Sequence, residues 1–95
     1  MIELLNNLQH GAILHTTRNN VNYIFRRRSI DGGIIYSINN TEKTLSLATI
    51  NQAIEDTNAG VTINRRWYIN FNPTEATSRG CNLSVLHNLL RRLQQ

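Results

Sequence analysis

Cys81 is the only cysteine in the chain. It stands at the mouth of a helical stretch, SRGCNLSVLHNLLRRL, residues 78–93. A thiol there could act as a nucleophile, because a helix N-terminus and the neighbouring Arg79 both favour thiolate. Nucleophilic catalysis also needs a base within reach. His87 lies further along the polar face of the same helix and cannot touch Cys81, and His10 or His15 could approach only through the fold. A small, semi-buried residue at a helix start accounts for Cys81 without chemistry. His10 and His15 are separated by a break between elements and His87 is remote, so the ligand spacing of a metal site is missing. Glu55 and Asp56 are adjacent and point in different directions from a helix, and Asp31 sits in a turn. No carboxylate pair suggests acid–base work, and no glycine-rich phosphate loop is present. These residues lead us to expect no catalytic residue, no metal, no cofactor and no enzyme.

Arginine is the residue type with a pattern. The chain has ten basic residues, of which only Lys43 is lysine, and its net charge is +4. Arginine presents a planar fork to phosphate or carboxylate. The clusters are Arg26-Arg27-Arg28, Arg65-Arg66 and Arg91-Arg92, and Trp67-Tyr68 follows the second directly. Cations for phosphates beside aromatics for bases form a reasonable nucleic-acid contact. The expected contact set is Arg26, Arg28, Arg65, Arg66 and Arg92, with Trp67 or Tyr68 stacking. Strand alternation would put Arg26 and Arg28 on one face and Arg27 on the other. The competing reading makes each cluster the solvated end of its own element and Trp67 a core anchor. A helix-turn-helix over 47–70 is disfavoured, because Ala53 to Gly60 is too long for its short turn.

The elements that would carry these residues follow from periodicity. Ile2, Leu5 and Leu8 have helical spacing over 2–9, with Gly11 as C-cap. Segments 12–17, 21–28 and 34–38 read as three strands, with turns at Arg18-Asn19-Asn20 and at Ser29–Gly33. Asn39 to Lys43 reads as a polar loop. Ser46 is a fitting N-cap for a helix carrying Leu47, Ile50, Ala53 and Ile54 on one face and ending at Gly60. Val61–Ile63 reads as a short extended piece. Asn64 would cap a short helix ending before Pro73, and residues 72–81 read as loop. Asn82 would cap a last helix over 83–94 with Leu86, Leu89, Leu90 and Leu93 on one face. There Arg91 and Arg92 would offset the helix dipole.

Strands followed by helices predict an α+β fold. We expect one domain over residues 1–95, with a three-stranded antiparallel meander followed by two or three helices packed on one sheet face. Charged residues make up 17 % of the chain, against roughly 25 % in an average domain. Such a surface leaves neutral area for self-association, with the uncovered sheet face around Ile24 and Ile35 as the place for a two-fold pairing. The lone thiol suits a reducing compartment. No stretch approaches the ~18 apolar residues of a membrane span, and no signal peptide is read at the N-terminus. A cytoplasmic protein without a membrane partner is expected.

The stretches TLSLATINQAI, INRRWYINFNP and SRGCNLSVLHNLLRRL, with the hydrophobic pattern from Gly11 to Leu93, resemble small single-domain proteins carried on bacterial mobile gene cassettes of the integron type. The resemblance implies a compact bacterial α+β domain that self-associates, and it brings no catalytic residue. The sequence thus points to a small basic binding module. Nucleic acid is its expected ligand and a homo-oligomer its expected state; the alternative is a protein-interaction adaptor with neither nucleic-acid nor catalytic role.

Overall fold

Residues 2–94 are described by the computed structural model; Met1, Gln95 and the side chain of Ile2 lie outside the described residues. A short helix α1 (Ile2–Asn6) precedes four strands, β1 (Ile13–Thr16), β2 (Asn22–Arg28), β3 (Ile34–Ile38) and β4 (Thr41–Leu45). Four further helices follow: α2 (Leu47–Asn58), α3 (Arg65–Phe71), α4 (Pro73–Ser78) and α5 (Asn82–Leu93). The strands pair antiparallel in the order β1-β2-β3-β4. The expected α+β class holds, but the count changes from three strands to four and from two or three helices to five.

The fourth strand comes from a two-residue turn. Asn39 and Asn40 have φ of 50° and 69°, and Ile38 pairs with Thr41 directly across them. Two successive left-handed residues make a hairpin turn whose twist matches that of the strands. Asparagine tolerates this backbone because its short side chain bonds locally. The added helix, α4, begins at Asn72, whose Oδ1 accepts from the Glu75 amide at 3.1 Å. Pro73 at the first helical position needs no donor there.

Other boundaries follow their expected signals. Ser46 Oγ caps α2 by accepting from Thr49 N at 3.3 Å, and Gly60 leaves that helix with φ of 87°. Asn64 Oδ1 caps α3 through Trp67 N at 2.9 Å. Asn20, with φ of 63°, turns the chain between β1 and β2. Helix α1 ends before the expected residue 9, and Gly11 does not cap it: its amide donates to Phe25 O at 2.8 Å, extending the pairing beside β1. Residues 61–63 form no strand.

The core lies between the sheet and the helices. Leu14, Phe25, Ile34, Tyr36 and Leu45 come from one sheet face, and Ile50, Ala53, Tyr68, Ala76, Val85, Leu86 and Leu89 from the helices above it. Helix α5 packs against β1 and α2. Its buried face is Asn82, Val85, Leu86 and Leu89, so the stripe is rotated from the expected one and Leu93 is exposed. Leu86 and Leu89 are fully buried, and truncating either to alanine would cost about 2–5 kcal/mol. On the opposite sheet face Ile24 and Ile35 are half-buried and Ile13 is exposed. No described helix is long and apolar enough to cross a membrane.

Candidate nucleic-acid interface

The arginines divide by what holds them. In β2 a bulge falls between Phe25 and Arg27, so Arg27 pairs with Ile35 and Arg28 with Ile34. One extra residue breaks the alternation. Arg26 and Arg27 therefore share the outer sheet face, and Arg28 turns to the helix side, which corrects the expected grouping of Arg26 with Arg28. Arg26 Nε donates to Ser37 Oγ at 2.8 Å, so the guanidinium lies across the middle of the sheet. Arg27 makes a forked pair with Glu42, both contacts at 2.8 Å. That guanidinium holds the Glu42 carboxyl below the usual range. Arg28 is consumed by the β2–β3 turn: Nε donates to Gly32 O at 2.9 Å and Nη1 to Asn6 Oδ1 at 2.6 Å. Arg92 bonds Asn88 Oδ1 at 2.7 Å and reaches Ile13 O at 3.5 Å.

Arg65 and Arg66 differ from these. Both are exposed on α3, and neither has a side-chain hydrogen bond or ion pair among the described residues. The Arg65 guanidinium passes over Gly80, with Nη1 3.5 Å from where a Cβ would stand. That brings it beside the segment that carries Arg79.

The two aromatics after Arg66 turn inward. Tyr68 is fully buried, and Trp67 is 8 % exposed, with Nε1 donating to Asp56 Oδ2 at 2.7 Å. Neither offers an open ring face. Phe71, one turn on from Trp67, is the more open ring. It is 37 % exposed and stacks on Trp67 with centroids 5.6 Å apart and planes 14° apart. A cleft of about 270 Å³ beside Trp67 is bordered by Arg66 and Asn70, and another of about 250 Å³ by Asn70 and Phe71. The exposed side of α3 thus carries cations, an amide and an aromatic ring together. Phe71 and Asn70 escaped the sequence reading; the i, i+4 spacing of Trp67 to Phe71 and of Arg66 to Asn70 was the signal.

Beneath α3 lies a buried polar network that the sequence reading also missed. Asn82 stands at the first position of α5 and is fully buried. It is not the expected N-cap; Cys81 occupies that place and makes no side-chain cap bond. Thr44 O can only accept, so its contact at 3.1 Å identifies the Asn82 amide nitrogen. That nitrogen also donates to the Tyr68 hydroxyl at 2.9 Å. Tyr68 in turn donates to Glu75 Oε1 at 2.5 Å. Glu75 Oε2 accepts from Ser46, Thr49 and Asn72 at 2.9, 3.2 and 3.2 Å. The Tyr36 hydroxyl lies 2.5 Å from Asn82 Oδ1 and 3.1 Å from Cys81 Sγ. With one proton to give, Tyr36 donates to the amide oxygen, the stronger acceptor, and the thiol donates to Tyr36. Burial pushes the Tyr36 and Tyr68 hydroxyls far above the ordinary tyrosine range. One Asn82 proton goes to Thr44 O and the other runs through Tyr68 to Glu75, and Tyr36, Tyr68, Asn82 and Thr49 are closed to solvent. The network binds β3, β4, α2, α3, α4 and α5 together and so fixes the angle at which α3 presents its outer side.

The histidines stand apart. A ring nitrogen of His10 lies 2.8 Å from Arg26 O, and His87 Nε2 lies 2.7 Å from Ile63 O. His15 packs edge-on to Tyr23 with centroids 5.0 Å apart. No group of three metal-ligating side chains occurs among the described residues. No protein-family model, curated protein or solved structure matches the chain.

Proposed function

We propose that the protein is a small, non-catalytic nucleic-acid-binding module whose contact surface is the outer side of α3. The observation that supports this most is the state of Arg65 and Arg66, exposed and unpaired on α3, with Arg66 bordering a cleft beside Trp67. Among the described residues only Arg27 is in an ion pair, and the charge of Arg65 and Arg66, which have no hydrogen bond either, is left for an external anion. Arg65 and Arg66 neutralise phosphates, with Arg79 adding charge nearby. Phe71 stacks a base in the place first given to Trp67 and Tyr68, and Asn70 bonds a base edge. Stacking on an aromatic ring needs an unpaired base, so single strands are the favoured ligand. The cytoplasmic setting belongs to the same reading, supported by the single free thiol. A bacterial cassette origin belongs to it as well, supported by the sequence resemblance.

Fluorescence anisotropy with single-stranded DNA and RNA oligonucleotides, repeated over a salt series, tests this. The expected result is binding whose salt slope falls by about 1.4 in the Arg65→Ala/Arg66→Ala variant, since each single-strand phosphate contact contributes about 0.7. Phe71→Ala should weaken binding by about 1–3 kcal/mol with an unchanged slope. Absence of binding at low salt, or an unaltered slope in the double variant, overturns the reading.

A further inference from the structure

The tip of the β2–β3 turn presents a bare isoleucine on a rigid mount. Ile30 has a relative exposure of 108 %, so its side chain touches almost nothing of its own chain. The residues around it are held from several directions. Ser29 N donates to Gly33 O and Gly32 N to Ser29 O, both at 3.0 Å. Arg28 grips Gly32 O. Asp31 Oδ1 accepts from Gly33 N at 2.9 Å, and Oδ2 accepts from Leu47 N at 3.3 Å. An apolar side chain held this way loses little further freedom when it docks.

A receptor of matching chemistry lies elsewhere on the molecule. Between the end of α2, the 61–63 segment and the last turns of α5 is a cleft of about 320 Å³. Val61, Ile63 and Leu90 line its apolar part, and Arg91 stands at its edge. Arg91 is exposed, with no side-chain partner among the described residues. Thr57, also in the lining, has a buried hydroxyl oxygen with no hydrogen-bond partner.

We propose that this cleft receives the Ile30-Asp31 tip of a second copy of the chain. Ile30 fills the space against Val61, Ile63 and Leu90, and the Asp31 carboxylate meets Arg91. The order of side chains matches, an apolar one followed by an anion against an apolar lining followed by a cation. Asp31 Oδ2 makes a single contact, to Leu47 N at the start of α2, which leaves acceptor capacity for a guanidinium. Hydrogen bonds from Ser29 and Gly33 hold the Asp31 carboxyl below the usual range, so it is ionised at neutral pH.

A tip cannot enter its own cleft. Asp31 is tied to Leu47 at the first residue of α2, and the cleft begins at Thr57 near its last. Ten residues of helix separate them by about 15 Å. The contact is therefore between different patches of two copies, and association runs to chains or closes on a reciprocal pair. This surface is separate from the outer sheet face around Ile24 and Ile35, and the proposal does not depend on nucleic-acid binding.

Sedimentation velocity over a concentration series, on nuclease-treated protein, tests it with two variants at exposed positions, Ile30→Ser and Arg91→Glu. The wild type should show a weight-average mass that rises with concentration. Each variant alone should associate at least tenfold more weakly, with unchanged circular dichroism; Ile30→Ser should melt like wild type, and Arg91→Glu only slightly lower because it puts an anion in the last turn of α5. An equimolar mixture should recover dimers, because Ile30→Ser keeps an intact cleft and Arg91→Glu an intact tip. A monomeric wild type at the highest concentration, a variant that associates like wild type, or a mixture that stays monomeric would each overturn the proposal.

Discussion

Tyr68 gives its hydroxyl proton to Glu75 across 2.5 Å while accepting from Asn82 at 2.9 Å. One phenol thus joins α3 to α4 and α5 in a place closed to water. Replacing it with phenylalanine keeps the ring and removes both bonds. The Asn82 amide nitrogen and Glu75 Oε1 are then left only their long mutual contact of 3.4 Å in a place solvent does not reach, at a cost of about 1–3 kcal/mol. We expect Tyr68→Phe to lower the melting temperature by at least ~4 °C, the shift that 1 kcal/mol produces in a domain of this size. A thermal melt monitored by Trp67 fluorescence checks it. An unchanged midpoint would mean that the network adds nothing to stability.

The same burial sets the response to alkali. Tyr23, Tyr36 and Tyr68 all have hydroxyls raised above their ordinary value, chiefly by desolvation. An unfolded tyrosine ionises near pH ~10, whereas these keep their protons in the folded state. Above that pH the folded state binds more protons than the unfolded state, so stability falls as pH rises. The contribution is fully present below pH ~10. Tyr36 and Tyr68 together should make stability fall with a slope that approaches two protons, about 3 kcal/mol per pH unit, as pH rises past it. Denaturant midpoints across this window, with phenolate absorbance followed in parallel, should show unfolding and tyrosine ionisation occurring together. In Tyr68→Phe the slope should be about half as steep.

How much of this was readable in advance depended on how far apart the partners sit in the chain. Ser46, Gly60, Asn64 and Asn20 act on their own neighbours, and each was placed from residue type alone. Two further features also carry local signals. Asn39-Asn40 is a pair able to hold two left-handed residues, and β4 was missed because only Leu45 of Thr41–Leu45 is buried, too little for an alternation. Asn72-Pro73-Thr74-Glu75 has the cap, the first-turn proline and the acidic third residue of a helix start, a local signal that outweighs the loop expected over 72–81. Asn82 was a different matter. Its bond to Tyr36 spans 46 positions, and nothing near it in sequence separates a cap from a buried crosslink. The bulge after Phe25 had no sequence mark either, and it alone moved Arg28 away from Arg26. Of the expected contact set, Arg65 and Arg66 are exposed and unpaired, whereas Trp67 and Tyr68 had side chains the core could use.

The Asn39-Asn40 turn offers a gain in stability. Asn40 has φ of 69°, which costs a non-glycine residue conformational energy that glycine does not incur. Asn-Gly is the favoured pair for this turn. Asn40→Gly should therefore raise stability by about 0.5 kcal/mol, while Asn40→Val, with a β-branched side chain in a left-handed position, should lower it by at least ~1 kcal/mol. Chemical denaturation of the two variants beside wild type reads both signs. A gain from valine would show that β4 does not depend on this turn.

Arg28 separates a structural arginine from one that contacts an anion. Its guanidinium closes the β2–β3 turn on Gly32 O and ties that turn to α1 through Asn6. A hydrogen bond from a charged donor contributes about 1.5–3 kcal/mol, and the carbonyl freed in Arg28→Ala can turn to water. We expect a loss near the lower figure. Arg28→Lys should not restore it, because a single ammonium cannot reproduce the fork. In an anisotropy salt series the slope of Arg28→Ala should equal that of wild type, since this cation is spent inside the fold. A slope that drops by about 0.7, one single-strand phosphate contact, would return Arg28 to the binding surface and would mean that the turn opens when the ligand arrives.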